Sequence, residues 1–406
     1  MTFIPHFLFL IRTCSLTLFS TLFSPHSPLF ISTFLKIMLF PEDFDSRLTS
    51  VYNSAKESGS LIFTTTDTHM SQETEYDILC EIAYAPALAL KPQGVVPEAE
   101  SRPATPKVEK KSNPFLPHDP TLFVMDIGEE HMALLNKFCV VPRHFLVVTK
   151  DFQKQTDPLS PNDLLAVWGA LNAVKCPGDA VAFYNCGARS GASQPHKHMQ
   201  VIPLDRPAPI AALVRNLAKA QPGRKEKRPG DMFSAPFNCI NHITLLQDPA
   251  ATNKSQEDVL LDAYISLMDA MHTSLREYAE QEGLSEDEQR QVTSKVSYNW
   301  LLTSKFMMIV PRRQEATNPY PDAISGISIN INSLGFAGLV LTKRDEEMKM
   351  VKEKGGVFAL VSETGFSFKQ NTKKTPEEEE LMNQKKKEQE QLLEKQIGGA
   401  LLNLDQ

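Results

Sequence analysis

The sequence predicts an α+β protein, with antiparallel sheets flanked by helices and two related halves, and three observations carry that reading. Short β-rich runs alternate with helical stretches along the chain, the pattern of mixed layers around a common core. One of those runs, His196–Ile202, sets two histidines and a glutamine at alternate positions. There is also an internal echo. Lys137-Phe138 leads to Val141-Pro142-Arg143 and LVVTK (Leu146–Lys150), and Lys305-Phe306 leads to Val310-Pro311-Arg312 and LVLTK (Leu339–Lys343), as related halves would give.

The elements follow in order. Residues Phe44–Ser58 read as a first helix stopped by Gly59, the residue expected just past a helix end. Leu61–Thr66 is β-rich, and Pro86–Pro120 has the Pro-, Lys- and Glu-laden composition of a loop. Phe138–Thr149 reads as strand, turn, strand, broken at Pro142-Arg143. Ser160 then caps a helix with Pro161 at its first position and Asp163 in its first turn, and Leu164, Leu165, Trp168, Leu171 and Val174 form its core face. After the strand Ala180–Tyr184 and the loop Asn185–Gln194 comes His196–Ile202, then the basic linker Gln221–Asp231. Ser255 can cap a long helix striped by Leu260, Tyr264, Leu267, Met271, Leu275 and Tyr278. Strands are expected at Ser297–Thr303, Phe306–Val310 and Gly338–Thr342, with a β-branched segment at Ile324–Ile331.

Composition narrows the function. The chain has 406 residues, with 42 Lys+Arg against 49 Asp+Glu and a net charge of -7, so it has no global attraction for nucleic acid or anionic membrane. Any anionic ligand must be held by a local constellation. Six scattered cysteines without a CxxC pair point to reduced thiols in a cytoplasmic setting. Residues 1–37 stand apart, rich in Phe, Leu, Ser and Thr, and no acidic residue precedes Glu42. Arg12, Pro25 and Pro28 interrupt any apolar run of the ~20 residues that a spanning helix needs. This leader is expected to lie outside the fold, with Met38 as the functional start.

Chemistry concentrates in NCGARSGASQPHKHMQVIPL. If this strand is extended, alternation places His196, His198 and Gln200 on one face and Lys197 and Met199 on the other. The small residues Ser190, Gly191, Ala192 and Ser193 let main-chain N–H groups approach an oxyanion. A neutral imidazole beside such a loop is a nucleophile for phosphorus. H-x-H could also present two zinc ligands, but Gln is a poor third and no cysteine has ligand spacing, so no metal site is expected.

The run SGASQPHKHMQ, preceded by FYNCG, resembles the active-site segment of the fungal ATP adenylyltransferases, also called diadenosine tetraphosphate phosphorylases. This family is the transferase branch of the histidine-triad superfamily, in which Gln replaces the hydrolases' third His. NKFCVVPRHFLVVTKDFQKQTDPLSPNDLL, SYNWLLTSKFMMIVPRR and INSLGFAGLVLTK are similar to further stretches of the family in the same order. The resemblance implies a histidine-triad-like fold, with residues 38–220 as the N-terminal catalytic half and 231–368 as a C-terminal half contributing nucleotide contacts. Residues 369–406 would form a charged tail outside the catalytic part. It further implies that His198 becomes adenylylated, that His196 positions it and that Gln200 hydrogen-bonds the nucleotide phosphate. Asn185, the loop Ser190, Gly191, Ala192, Ser193 and Gln194, and Lys91, Asn136 and Lys137 match the family's contacts in the first half. Asn332, Ser333, Leu334, Leu339 and Lys343 match those in the second. Where the family often carries a serine this chain has Ala192, which keeps the main-chain donor. The implied ligands are diadenosine tetraphosphate, ATP, ADP and phosphate, with a divalent cation such as Mg²⁺ carried on the phosphates, no organic cofactor, and a monomeric protein. Two alternatives stay open at this point: a hexose-1-phosphate nucleotidyltransferase with the same histidine chemistry, and a nucleotide sensor without turnover.

Overall fold

The computed structural model describes residues 40–73, 77–89, 113–219, 225–319 and 326–367. The 1–37 leader, Lys91 and the tail from residue 369 lie outside them. Helix α1 (Phe44–Glu57) buries Phe44, Leu48, Tyr52 and Ala55, one stripe at helical spacing, and the chain turns out of it through Gly59 at φ 75°. Strands β1 (Ile62–Phe63), β2 (Asp67–Glu73), β3 (Ile78–Tyr84), β4 (Phe123–Ile127), β5 (His131–Leu135), β6 (Phe138–Cys139) and β7 (Phe145–Thr149) follow. Helix α2 (Pro161–Ala173) starts as the sequence predicts: Ser160 and Asp163 exchange side chain-to-backbone hydrogen bonds in a capping box. Then come β8 (Val181–Cys186), β9 (His198–Ile202), α3 (Pro209–Ala218), β10 (Met232–Phe233), β11 (His242–Leu245) and the single turn α4 (Pro249–Thr252). Ser255 caps α5 (Gln256–Gln281), again with a capping box, and α6 (Glu286–Ser294) precedes β12 (Ser297–Leu302) and β13 (Phe306–Arg312). The described chain ends with α7 (Ser333–Phe336), β14 (Leu339–Thr342), α8 (Asp345–Glu353) and α9 (Val357–Ser362).

Nine strands form one antiparallel sheet in the order β10-β11-β13-β12-β8-β9-β7-β5-β4. The first half of the chain supplies β4, β5, β7, β8 and β9, the second half the rest, and the halves join where β8 pairs with β12. Alternation divides the side chains between two faces. Ala182, Tyr184, Met199, Val201, Trp300, Met307 and Ile309 enter the larger core, covered by α1, α2 and the apolar stripe of α5. Full burial of each of Leu260, Leu267 and Leu275 in that stripe contributes about 1.5–3 kcal/mol. Val181, Phe183, Ile202, Leu301, Met308 and Val310 enter a second core under α3, α7, α8 and α9. A third, smaller cluster, Phe115, Met132, Leu134, Leu146 and Val148, covers the β5–β7 end.

Several sequence expectations need correction. The echo is not a structural repeat: LVVTK runs through the middle of the large sheet, whereas LVLTK forms β14, which pairs parallel to β3 in a separate three-stranded sheet. Short-segment similarity reflects only shared β propensity there. β1 and β6 also pair in parallel. The described part of Ile324–Ile331 is not a ladder strand and makes one bridge, Ala316 to Asn330. His196 precedes β9 and is held by an isolated bridge to Lys154.

Candidate active site

Polar side chains lie in a seam between the second and third apolar clusters, on the face of β9 that the sequence assigned to the histidines. Both imidazoles are buried, His196 at 0% and His198 at 3% exposure. His198 Nδ1 lies 2.8 Å from the His196 carbonyl oxygen. A carbonyl can only accept, so the proton sits on Nδ1 and Nε2 keeps its lone pair. Burial holds the His198 pKa down to about 4, against the opposing pull of that hydrogen bond. The ring is therefore neutral at physiological pH.

His196 contacts His198 through its main-chain carbonyl. Its ring nitrogens are engaged by protein: Nε2 donates to the Thr149 carbonyl at 2.8 Å, and Nδ1 accepts from the Asn113 amide at 2.9 Å. Gln155, which the sequence reading missed, fixes the strand itself. Its Oε1 accepts the His198 N–H (2.9 Å) and its Nε2 donates to the carbonyls of Asn185 (2.9 Å) and His198 (3.2 Å). No local pattern marks Gln155, because it acts from a loop brought in by the fold.

A second missed residue orients Gln200. His144 Nε2 donates to Gln200 Oε1 at 3.0 Å, and Asn136 Nδ2 donates to His144 Nδ1 at 3.1 Å. Burial lowers the His144 pKa to about 4, which keeps it neutral and able to accept from Asn136. With Oε1 occupied, the Gln200 NH₂ is left to donate outward. Alternation could have flagged His144, since it lies two residues before Leu146, the partner of Gln200 across the β7–β9 ladder.

The same logic applies to Asn185. Its Oδ1 accepts from Asn299 Nδ2 (2.9 Å), Ser333 N (3.0 Å) and Ser333 Oγ (2.7 Å), which leaves its NH₂ toward the adjoining cleft. Asn299 also donates to the Ser190 carbonyl at 2.9 Å and accepts from Arg312, a buried cation that donates further to the Ile331 carbonyl at 3.0 Å. Burial lowers the Arg312 pKa to about 9. Gly191 sits at φ 80°, and a Cβ there would come within 2.9 Å of the Ile331 oxygen, so only glycine lets this loop press against residues 331–332.

A cleft of about 820 Å³ lies beside this seam; Gln200, two residues along β9 from His198, lines it, while the buried His196 and His198 rings are not on its walls. The structure brings Asn136, Asn185, Gly191, Ala192, Ser193, Gln194, Gln200, Asn332, Leu334, Leu339 and Lys343 onto its walls, from both halves of the chain. Lys343 faces the cleft together with Glu315 and Glu347. Other expected contacts fall elsewhere. The Ser190 hydroxyl turns inward to the Gly187 carbonyl at 2.6 Å, and the Ser333 hydroxyl serves Asn185, because both side chains are fully buried. Lys137 is half exposed, 4.0 Å from Asp119. Lys91 is outside the described residues. Lys197 does point away from the histidines, but it is buried: Nζ binds Asp163 Oδ2 at 3.1 Å and the Pro158 carbonyl at 3.0 Å, while His131 holds the other Asp163 oxygen at 2.7 Å. Among the described residues no group of three or more His, Cys, Asp or Glu is placed to hold a metal ion.

The antiparallel sheet with its carbonyl-locked His198 is histidine-triad-like, and the protein is of the nucleotidyltransferase kind. Residues 35–216 match the family model of the Ap4A phosphorylase N-terminal domain, and residues 233–367 that of the ATP adenylyltransferase C-terminal domain. The chain belongs to this Ap4A phosphorylase and ATP adenylyltransferase family. It is 28% identical over 333 residues to diadenosine 5',5'''-P1,P4-tetraphosphate phosphorylase 2 of Saccharomyces cerevisiae, covering 78% of this chain and 92% of that one. To Protein APA1 of the same yeast it is 29% identical over 330 residues, with the same coverage. The crystal structure of yeast Ap4A phosphorylase Apa2 in complex with AMP superposes with a TM-score of 0.61 at 25% identity, covering 82% of this chain and all of that one. Apa2 in complex with Ap4A gives 0.61 at 26% identity, covering 81% and 99%.

Proposed function

We propose that this protein is an ATP adenylyltransferase that phosphorolyses diadenosine tetraphosphate to ADP and ATP and runs the reverse synthesis. The observation that carries the reading is the bond from His198 Nδ1–H to the His196 carbonyl, which fixes Nε2 as the basic nitrogen. In the first step the Nε2 lone pair attacks the α-phosphorus. The bond to the bridging oxygen of the departing ATP breaks, and AMP remains on the histidine. In the second step an oxygen of inorganic phosphate attacks the same phosphorus, the P–N bond breaks and ADP leaves. The Gln200 and Asn185 amides and the main-chain N–H groups of residues 191–194 donate to the α-phosphate as its charge shifts. Asn136, Asn332, Leu334, Leu339 and Lys343 line the space for the nucleotide, with Lys91, outside the described residues, as a further contact. The cleft has Glu315 and Glu347 beside Lys343, so a tetraphosphate entering it brings a divalent cation on its own oxygens.

A monomer suffices, because the cleft is lined from both halves of one chain. No helix among the described residues is long and apolar enough to cross a membrane. The described cysteines are free thiols, and Cys80, Cys139, Cys186 and Cys239 are buried, which supports a reducing, cytoplasmic setting. The decisive experiment is mass spectrometry after exposure to diadenosine tetraphosphate without phosphate. AMP bound to His198, discharged as ADP on adding phosphate and missing from His198→Ala, is the expected result. AMP found on His198→Ala at another residue would overturn the assignment.

A further inference from the structure

Asn113 and Phe115 reach both histidines from the segment that precedes β4. The Asn113 carboxamide is bridged: Nδ2 donates to His196 Nδ1 at 2.9 Å, and Oδ1 accepts the Phe115 N–H at 3.0 Å. The Phe115 ring stands edge-on to His196 with centroids 5.6 Å apart, and tilted against His198 at 5.5 Å. It is buried, packed with Met132, Leu134, Leu146 and Val148 on the same face. On the β7 side the His198 ring is therefore bounded by hydrocarbon, whereas the His196 ring meets the Thr149 and Asp151 carbonyls; Asn185 and the small-residue loop lie on the β8 side.

We propose that Phe115, anchored by Asn113, shields the adenylylated histidine from water and so makes phosphate the acceptor. This rests on the transfer chemistry of the preceding subsection. The intermediate holds phosphorus on Nε2. When a phosphate oxygen attacks, a P–O bond forms, the P–N bond breaks with its electron pair returning to the imidazole, and ADP leaves. A water oxygen could make the same displacement, giving AMP and releasing its proton to solvent. Phosphate is received on the polar β8 side. Either acceptor must approach in line, opposite the P–N bond, and along the His198 side of that approach the phenyl ring, Leu146 and Val148 supply none of the two or more polar partners that a held water needs. Phe115 is thus a positioning and shielding residue that sets the ratio of transfer to hydrolysis.

The test is turnover of diadenosine tetraphosphate in excess phosphate, with AMP and ADP separated by anion-exchange chromatography. The AMP share is expected to rise about tenfold in Phe115→Ala, which opens the apolar wall, and in Asn113→Ala, which frees the ring from its anchor. Phe115→Leu, which keeps the wall apolar, should return the ratio close to wild type. An unchanged AMP-to-ADP ratio in both alanine variants, whatever happens to kcat, overturns the proposal, because a purely structural role moves the rate and not the partition. If thermal unfolding shows that Phe115→Ala is not folded, Asn113→Ala decides by the same ratio. A wild-type protein that forms no ADP from added phosphate would instead defeat the adenylyl-transfer reading itself.

Discussion

At the level of single residues, the site depends on neutral, buried imidazoles. His198 and His144 each have a pKa depressed by burial to about 4 in the folded protein, below the unfolded value of ~6.5. Between those values the unfolded chain binds more protons, so the contribution of these two histidines to stability rises with pH from about 4 to ~6.5 and is fully lost below the lower limit. Each shift is worth about 3 kcal/mol at that acid limit. Catalysis should follow the folded value. The rate of histidine adenylylation, measured in a single turnover by rapid quench, is expected to fall as pH drops through about 4 and to be flat across ~6.5. A midpoint near ~6.5 would mean that His198 is solvated in the working enzyme.

At the level of elements, β9 serves two purposes on its two faces. Lys197 points away from the chemistry and ties the strand to the start of α2 through Asp163, which is also the capping-box acid of that helix. Burial pushes the Asp163 pKa up, but the His131 hydrogen bond and the Lys197 charge outweigh it and hold the carboxyl at about 2. Lys197→Ala would leave this carboxylate buried with one cationic partner removed, a loss of about 3–5 kcal/mol. Urea unfolding should register that loss, while turnover per folded molecule stays within a few-fold of wild type. Loss of turnover without loss of stability would place Lys197 on the catalytic face after all. The glycine loop before β9 is held to a comparable tolerance, since Gly191 must let it touch residues 331–332.

At the level of the whole molecule, the two halves meet at the site. Asn299, on the β12 strand of the second half, pairs across the ladder with Asn185 on β8 and holds both its side chain and the Ser190 carbonyl. Asn299→Ala removes one of three donors from Asn185 Oδ1 and one of the acceptors of the buried Arg312, which keeps the Ile331, Gln314 and Glu315 carbonyls. It is expected to cost about 1–3 kcal/mol in thermal unfolding. It should also raise KM for diadenosine tetraphosphate about tenfold, because the Asn185 amide and the phosphate loop lose their alignment. An unchanged KM in a destabilised protein would confine Asn299 to a structural role.

The sequence by itself determined whatever depends on near neighbours. Ser160-Pro161 and Ser255 with their acids three residues on set the starts of two helices, and Gly59 set the end of another. Alternation alone put His196, His198 and Gln200 on one face and Lys197 on the other, because the period of a strand is two. Tertiary structure decided everything that required residues far apart in the chain to meet. The polar strand β2 and its hairpin with β3 escaped notice because DTHMSQE is stabilised by pairing and not by its own composition. The echo of LVVTK in LVLTK misled because short apolar segments carry β propensity without register, and only their partners assign them to a sheet. Gln155, Asn299 and Phe115 lack a sequence signature for the same reason. Their hydrogen-bond and ring partners are distant in sequence, and the cost of leaving a buried polar group unpaired brings them into place only once the sheet has closed.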